Sequence, residues 1–114
     1  MVWRIKDRAT FEALRHSGRR ARRGPITVTY TPLGSTPGAQ ARVAYAIGKR
    51  VGGAVERNRL RRRLRAIVAD VATGVPPGAY LVAAGPEAGG IGFEELKRNV
   101  AAAMTSAARE ERQA

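Results

Sequence analysis

Apolar positions along the chain recur with two different periods, and the switches between them divide it into six elements. "RATFEALRHSG" carries Ala9, Phe11 and Leu14 in a short helical pattern that Asp7 can cap and Gly18 can stop. "ITVTYT" (26–31) alternates Ile26, Val28 and Tyr30 with threonine, which predicts a strand with one buried face. "PLGSTPGAQ" (32–40) reads as a turn or loop, and "ARVAYAIG" (41–48), apolar on both faces, as a central strand. After Gly52-Gly53, Leu60, Leu64, Ile67, Val68 and Val71 fall at i, i+4, i+7, i+8 and i+11, one stripe of a helix. "GVPPG" ends that helix, "AYLVAAG" (79–85) predicts a second buried strand, and "PEAGGIG" a loop. A last helix places Phe93, Leu96, Val100 and Met104 on one face, with Glu94 and Glu95 in the first turn, where the dipole favours acids.

The order α-β-β-α-β-α predicts an α+β sandwich, a small mixed sheet with helices on one face. No repeat or linker divides the chain. Residues 1–114 are therefore read as one domain, ordered over about 4–104, with 105–114 expected to fray. A length of 114 suits a single core, and 44% hydrophobic residues with only 5% aromatics make that core aliphatic.

Charge changes the picture. The net +12 is concentrated in two segments. Residues 1–23 hold eight basic side chains (Arg4, Lys6, Arg8, Arg15, Arg19, Arg20, Arg22, Arg23) against two acids. Residues 49–65 hold eight more (Lys49, Arg50, Arg57, Arg59, Arg61, Arg62, Arg63, Arg65) against Glu56 alone. Such self-repulsion destabilises a free fold, so a polyanionic partner is implied. Only three of the 21 basic residues are lysine, and guanidinium forks favour phosphate and base recognition over a membrane surface. On the predicted helix, Asn58, Arg61, Arg62 and Arg65 lie to one side of the apolar stripe, Arg59 and Arg63 to the other. Arg57 sits at its margin. Arg57–Arg61 and Arg61–Arg65 are like-charged i,i+4 pairs, each costing roughly 0.2–0.5 kcal/mol that bound phosphates would relieve. The run "GRRARRG" fits either phosphate contact, through Arg19, Arg20, Arg22 and Arg23, or a solubilising arm.

Phe11 and Tyr30 fit either the core or a stacking platform for unpaired bases. Tyr45 and Tyr80, inside apolar strands, are expected in the core. His16 is expected at the surface. One histidine and no cysteine argue against a protein-built metal site or a disulfide framework, and no nucleophile has a partner base. The side chains thus supply no catalytic residue of their own. No apolar run is long enough for a membrane span or signal peptide, so a soluble cytoplasmic protein is expected.

"AIGKRVGGAVERNRLRRRLR" resembles the basic signature of the bacterial ribonuclease P protein component. "RIKDRATFEALRHSG" is similar to that family's opening helix, "ITVTY" to its first long strand and "GFEELKRNVAAAM" to its closing helix, so the likeness spans about 4–104. The resemblance implies a ribosomal protein S5 domain 2-like fold with a left-handed βαβ crossover, opposite to the usual hand. It implies a tRNA-processing ribonucleoprotein, an endonuclease (a hydrolase) whose catalytic RNA subunit removes the 5′ leader of precursor tRNA. Mg²⁺ in that holoenzyme is bound mainly by RNA. The protein is a non-catalytic subunit, monomeric in a 1:1 complex. Carried onto this chain, Arg57, Asn58, Arg59, Arg61, Arg62 and Arg65 would bind the RNA subunit. Phe11, Tyr30, Lys49 and Arg50 would line the leader cleft. Family members often carry a second aromatic where Arg15 stands, so Arg15 would contribute cation–π or phosphate contact instead. The competing readings are a general structured-RNA-binding or ribosomal protein, a protein-only nuclease and a DNA-binding module.

Overall fold

A computed structural model describes residues 3–5, 8–32 and 41–109. Eight main elements follow in order: β1 (Trp3–Arg4), α1 (Arg8–Ser17), β2 (Arg19–Arg23), β3 (Ile26–Thr31), β4 (Ala41–Ile47), α2 (Ala54–Val71), β5 (Gly78–Ala84) and α3 (Phe93–Arg109). Short 3-10 turns at Lys49–Val51, Ala72–Gly74 and Pro86–Gly90 join them. The strands form one mixed sheet in the order β1-β4-β5-β3-β2. β1 and β5 run parallel to β4, whereas β5–β3 and β3–β2 are antiparallel. Since β4 and β5 are parallel neighbours, the segment carrying α2 must cross over one face of the sheet.

Two strands extend the expected order. The basic run Arg19–Arg23 is not an arm. It is edge strand β2, paired along its length with β3 from Arg19↔Tyr30 to Arg23↔Ile26. The Gly24-Pro25 step that joins them is a two-residue hairpin turn, made possible by a φ of 57° at Gly24. Trp3–Arg4 adds a short parallel rung beside Arg42 and Val43. The Asp7 cap lies outside the described residues.

The main core lies between the sheet and helices α2 and α3. Ile26, Val28 and Tyr30 of β3, Val43 of β4, and Tyr80, Val82 and Ala84 of β5 meet Leu60, Leu64, Ile67 and Val68 of α2. Leu96, Val100, Ala103, Met104 and Ala107 of α3 complete it. Ala107 and Ala108 are buried, so the last helix stays packed through Arg109 instead of fraying from residue 105. Alanine contributes little to a hydrophobic pattern but fits a close helix–sheet approach. Phe93, expected on the buried stripe, is exposed.

Helix α1 corrects the one-face expectation. Leu14 packs with Ile5 and Ala79 in a second, smaller cluster on the opposite side of the sheet, joined by Ala44 and Leu81. Strand β5 is apolar on both faces, with Tyr80 and Val82 toward one layer and Ala79 and Leu81 toward the other, so it can seat helices on each. Gly18 ends α1 through an N–H to Leu14 carbonyl bond of 3.1 Å. A Cβ there would collide with that carbonyl and with the Thr29 methyl, so only glycine lets the chain turn this close to β3.

Candidate nucleic-acid interface

Helix α2 is held by its apolar stripe. Leu60, Leu64, Ile67 and Val68 are buried, each contributing roughly 1.5–3 kcal/mol relative to exposure. That outweighs the like-charge repulsion along the helix, which is why so many arginines can stand on an ordered scaffold. The Gly53 N–H donates to Glu56 Oε1 at 3.3 Å, so the single acid of the basic segment closes the helix N-terminus. A φ of 150° at Gly52 sets the approach to that turn.

The arginines fall on both flanks of α2, as its periodicity predicts. Arg61 donates from Nη1 to Asn58 Oδ1 at 2.9 Å. Arg65 stands near Tyr45 of β4, whose hydroxyl is pushed up by burial and pulled part of the way back by the guanidinium charge. Arg62 is exposed. On the other flank, Arg59 and Arg63 line a cleft of about 170 Å³ with Val51, Leu60, Pro86 and Gly89. Arg57 is half-buried at the stripe's margin, with its Nε enclosed and unpaired. Among the described residues no arginine of α2 makes an ion pair; the three present are Arg15–Glu12, His16–Glu12 and Lys97–Asp70.

The second candidate surface is the α1 face of the sheet. Strand alternation puts Arg42, Ala44 and Ala46 of β4, Ala79, Leu81 and Ala83 of β5, Thr27, Thr29 and Thr31 of β3, and Arg20 and Arg22 of β2 on this side. The row Ala79–Thr31 is buried and the row Leu81–Thr29 partly so. In the next row Ala46 and Arg22 are exposed and Ala83 and Thr27 half-buried, so this strip of alanine and threonine side chains, here called the trough, is less covered than the rows nearer α1. Phe11 of α1, 37% exposed, belongs to the helix beside it. Lys49 and Arg50 leave the end of β4 at the trough's open end, both exposed.

Tyr30 does not join Phe11. Its side chain is on the α2/α3 face, 4% exposed, and its hydroxyl donates to the Pro77 carbonyl at 3.0 Å. The cause is the two-residue period: Tyr30 shares its face with Ile26 and Val28, and those two are core. Arg15 is exposed on α1 and pairs loosely with Glu12 at 3.8 Å. Sequence reasoning placed Arg63 on the Arg59 flank of α2 without giving it a binding role, and it did not single out Arg42. The first was legible as the i+4 neighbour of Arg59, the second as the trough-side partner of Ala44 and Ala46.

Among the described residues no three His, Cys, Asp or Glu side chains cluster, and no helix is long and apolar enough to cross a membrane. The fold and the site define an α+β domain with two strongly basic surfaces, one on helix α2 and one along the α1 face of the sheet. A model of the ribonuclease P family matches residues 2–108. A ribonuclease P protein component from Streptomyces bikiniensis is 38% identical over 109 residues, spanning 89% of this chain and 88% of its own. One from Acidothermus cellulolyticus is 40% identical over 97 residues, spanning 82% and 78%. The solved Staphylococcus aureus RNase P protein superposes with a TM-score of 0.78 at 19% identity, covering 92% of this chain and 94% of its own. The Thermotoga maritima RNase P protein gives 0.78 at 18%, covering 90% and 96%. The chain belongs to the ribonuclease P protein family. Superposition does not tolerate mirror images, so the β4–α2–β5 crossover has the hand of those solved structures.

Proposed function

We propose that this protein is the protein subunit of a bacterial ribonuclease P. It binds the catalytic RNA through α2 and the 5′ leader of precursor tRNA over the trough, and so promotes endonucleolytic removal of the leader. The observation that carries this reading is the pairing of a deeply seated helix with arginines that have no carboxylate partner. An ordered donor surface loses less entropy on binding than a tail would. Precursor tRNA and the RNA subunit are both polyanions, and a +12 protein between them lowers their repulsion. A leader site adds affinity that mature tRNA lacks, which favours substrate over product.

Arg57, Asn58, Arg59, Arg61, Arg62 and Arg65 take the RNA-subunit role, and Phe11, Arg15, Lys49 and Arg50 the leader role. Tyr30 supports the trough from beneath the sheet. Mg²⁺ in the holoenzyme is assigned mainly to the RNA, and no step is routed through the protein. The protein acts in the cytoplasm, as one copy per RNA.

The test is cleavage of a leader-bearing precursor tRNA at low Mg²⁺ with protein alone, cognate RNA alone and both. Correct 5′ cleavage only with both is expected. Cleavage by protein alone would mean an active site in the polypeptide. Unstimulated cleavage with RNA binding intact would leave a general RNA-binding protein.

A further inference from the structure

The cleft of about 170 Å³ between α2 and the turn Pro86–Gly90 combines three chemistries that a plain phosphate site does not need. Val51 and Leu60 make it apolar on one side. The turn contributes Pro86, Gly89 and Gly90, so the proline ring is the only side chain there. A Cβ at Gly89 would come within 3.8 Å of a Val51 methyl, so the two sides approach closely enough to hold a flat group. Arg59 and Arg63, one helical turn apart, supply guanidinium groups, Arg59 exposed and Arg63 half-buried. Glu56 supplies a carboxylate. That carboxylate is held in place: Oε1 accepts from the Gly53 N–H at 3.3 Å, and the stem lies against Gly52. Among the described residues it forms no ion pair with either arginine, although all three line one cleft. The charges are left for a ligand that carries both an anion and hydrogen-bond donors.

A carboxylate accepts hydrogen bonds and cannot donate them. Among the RNA bases, guanine alone sets two donors side by side on its pairing edge, N1–H and N2–H. Adenine and cytosine place a ring-nitrogen acceptor beside their amino group, and uracil flanks its N–H with two carbonyls, so each would turn an acceptor toward Glu56. We propose that the cleft is a site for a single guanine nucleotide. The base lies between the apolar side chains and the turn with its donor edge on Glu56, and Arg59 and Arg63 take the phosphate, which relieves their own i,i+4 repulsion. The nucleotide is either an unpaired guanosine of the RNA subunit or a free one. The first source rests on the RNA-subunit reading above, and the second does not.

The test has two measurements, each on wild type, E56Q and R63Q: equilibrium dialysis of the whole chain with labelled GMP, AMP, CMP and UMP, and ultraviolet crosslinking to an RNA subunit substituted with 6-thioguanosine. GMP should bind about tenfold more tightly than the others, the worth of one more hydrogen bond to a charged group. Glutamine still caps the helix, so E56Q should keep the melting temperature while the preference for GMP disappears. R63Q should weaken GMP severalfold and leave guanosine unchanged. A crosslink to residues 86–90 that E56Q removes assigns the site to the RNA subunit, with or without measurable binding of free GMP. A GMP preference without that crosslink assigns it to a free nucleotide. Equal binding of all the mononucleotides, a preference that E56Q leaves intact, or neither binding nor crosslink would overturn the proposal. If wild type did not bind the RNA subunit at all, the RNA-subunit reading would fail separately, and dialysis would still decide the cleft.

Discussion

Tyr30 and Tyr80 face each other across β3 and β5, their ring centroids 4.9 Å apart and their planes inclined at 49°. Each hydroxyl donates to a proline carbonyl in the segment entering β5, Tyr30 to Pro77 and Tyr80 to Pro76. The pair ties the end of β3 to the return from α2. Tyr30→Phe should keep the ring packing and cost about 0.5–1.5 kcal/mol for the lost hydrogen bond. Tyr30→Ala should cost about 3–5 kcal/mol. Urea denaturation reads both. In Tyr30→Phe, leader affinity should not change, since the hydroxyl is beneath the sheet.

The same burial predicts alkaline sensitivity. Tyr80 is held well above the ordinary 10.0, first by burial and then by Tyr30, and Tyr45 is raised by burial. A group whose folded pKa is raised keeps its proton in the native state while the unfolded chain ionises. Stability is thus fully present below pH 10 and declines as pH rises from there toward the folded value. The slope approaches about 1.4 kcal/mol per pH unit for one such group. Tyr80→Phe should flatten the decline above pH 10 in denaturation midpoints, and an unchanged slope would contradict it.

Arg65→Gln should act with opposite signs on free and bound protein. It relieves the Arg61–Arg65 repulsion, worth about 0.2–0.5 kcal/mol in favour of the free fold. It should weaken binding to the RNA subunit and make the salt slope shallower by about 0.7–0.9. Removing the guanidinium also removes the charge that lowers Tyr45, so the Tyr45 titration should move to higher pH. Spectrophotometric titration checks that shift independently of any RNA.

Phe11→Ala separates the trough from the core. The ring is more than a third exposed, so stability should fall by less than about 1.5 kcal/mol, well below the cost of a buried aromatic. Affinity for leader-bearing precursor should drop by the stacking contribution, about 1–3 kcal/mol. Mature tRNA should bind as before. Equal losses for both substrates would remove Phe11 from the leader site.

The periodic elements were legible because their apolar spacing reports local geometry. Leu60, Leu64, Ile67 and Val68 predicted α2 and its buried face, and Leu96, Val100 and Met104 predicted α3. Four arginines hid β2, since a strand whose single buried residue is Ala21 shows no alternation of hydrophobicity. Its pairing comes from the partner strand and the Gly24 turn.

What the sequence by itself determined is the chemistry: an arginine-rich helix with an apolar stripe and few aromatics, set by residue type and short-range spacing. What only the tertiary structure decided is which face each side chain serves. Tyr30 went to the core, Arg20 and Arg22 were separated from Arg19 and Arg23, and α1 was set opposite α2. A strand's alternation defines two faces without saying which one a helix will cover. That choice depends on contacts distant in sequence, here Leu14 with Ala79 on one side and Leu64 with its sheet neighbours on the other.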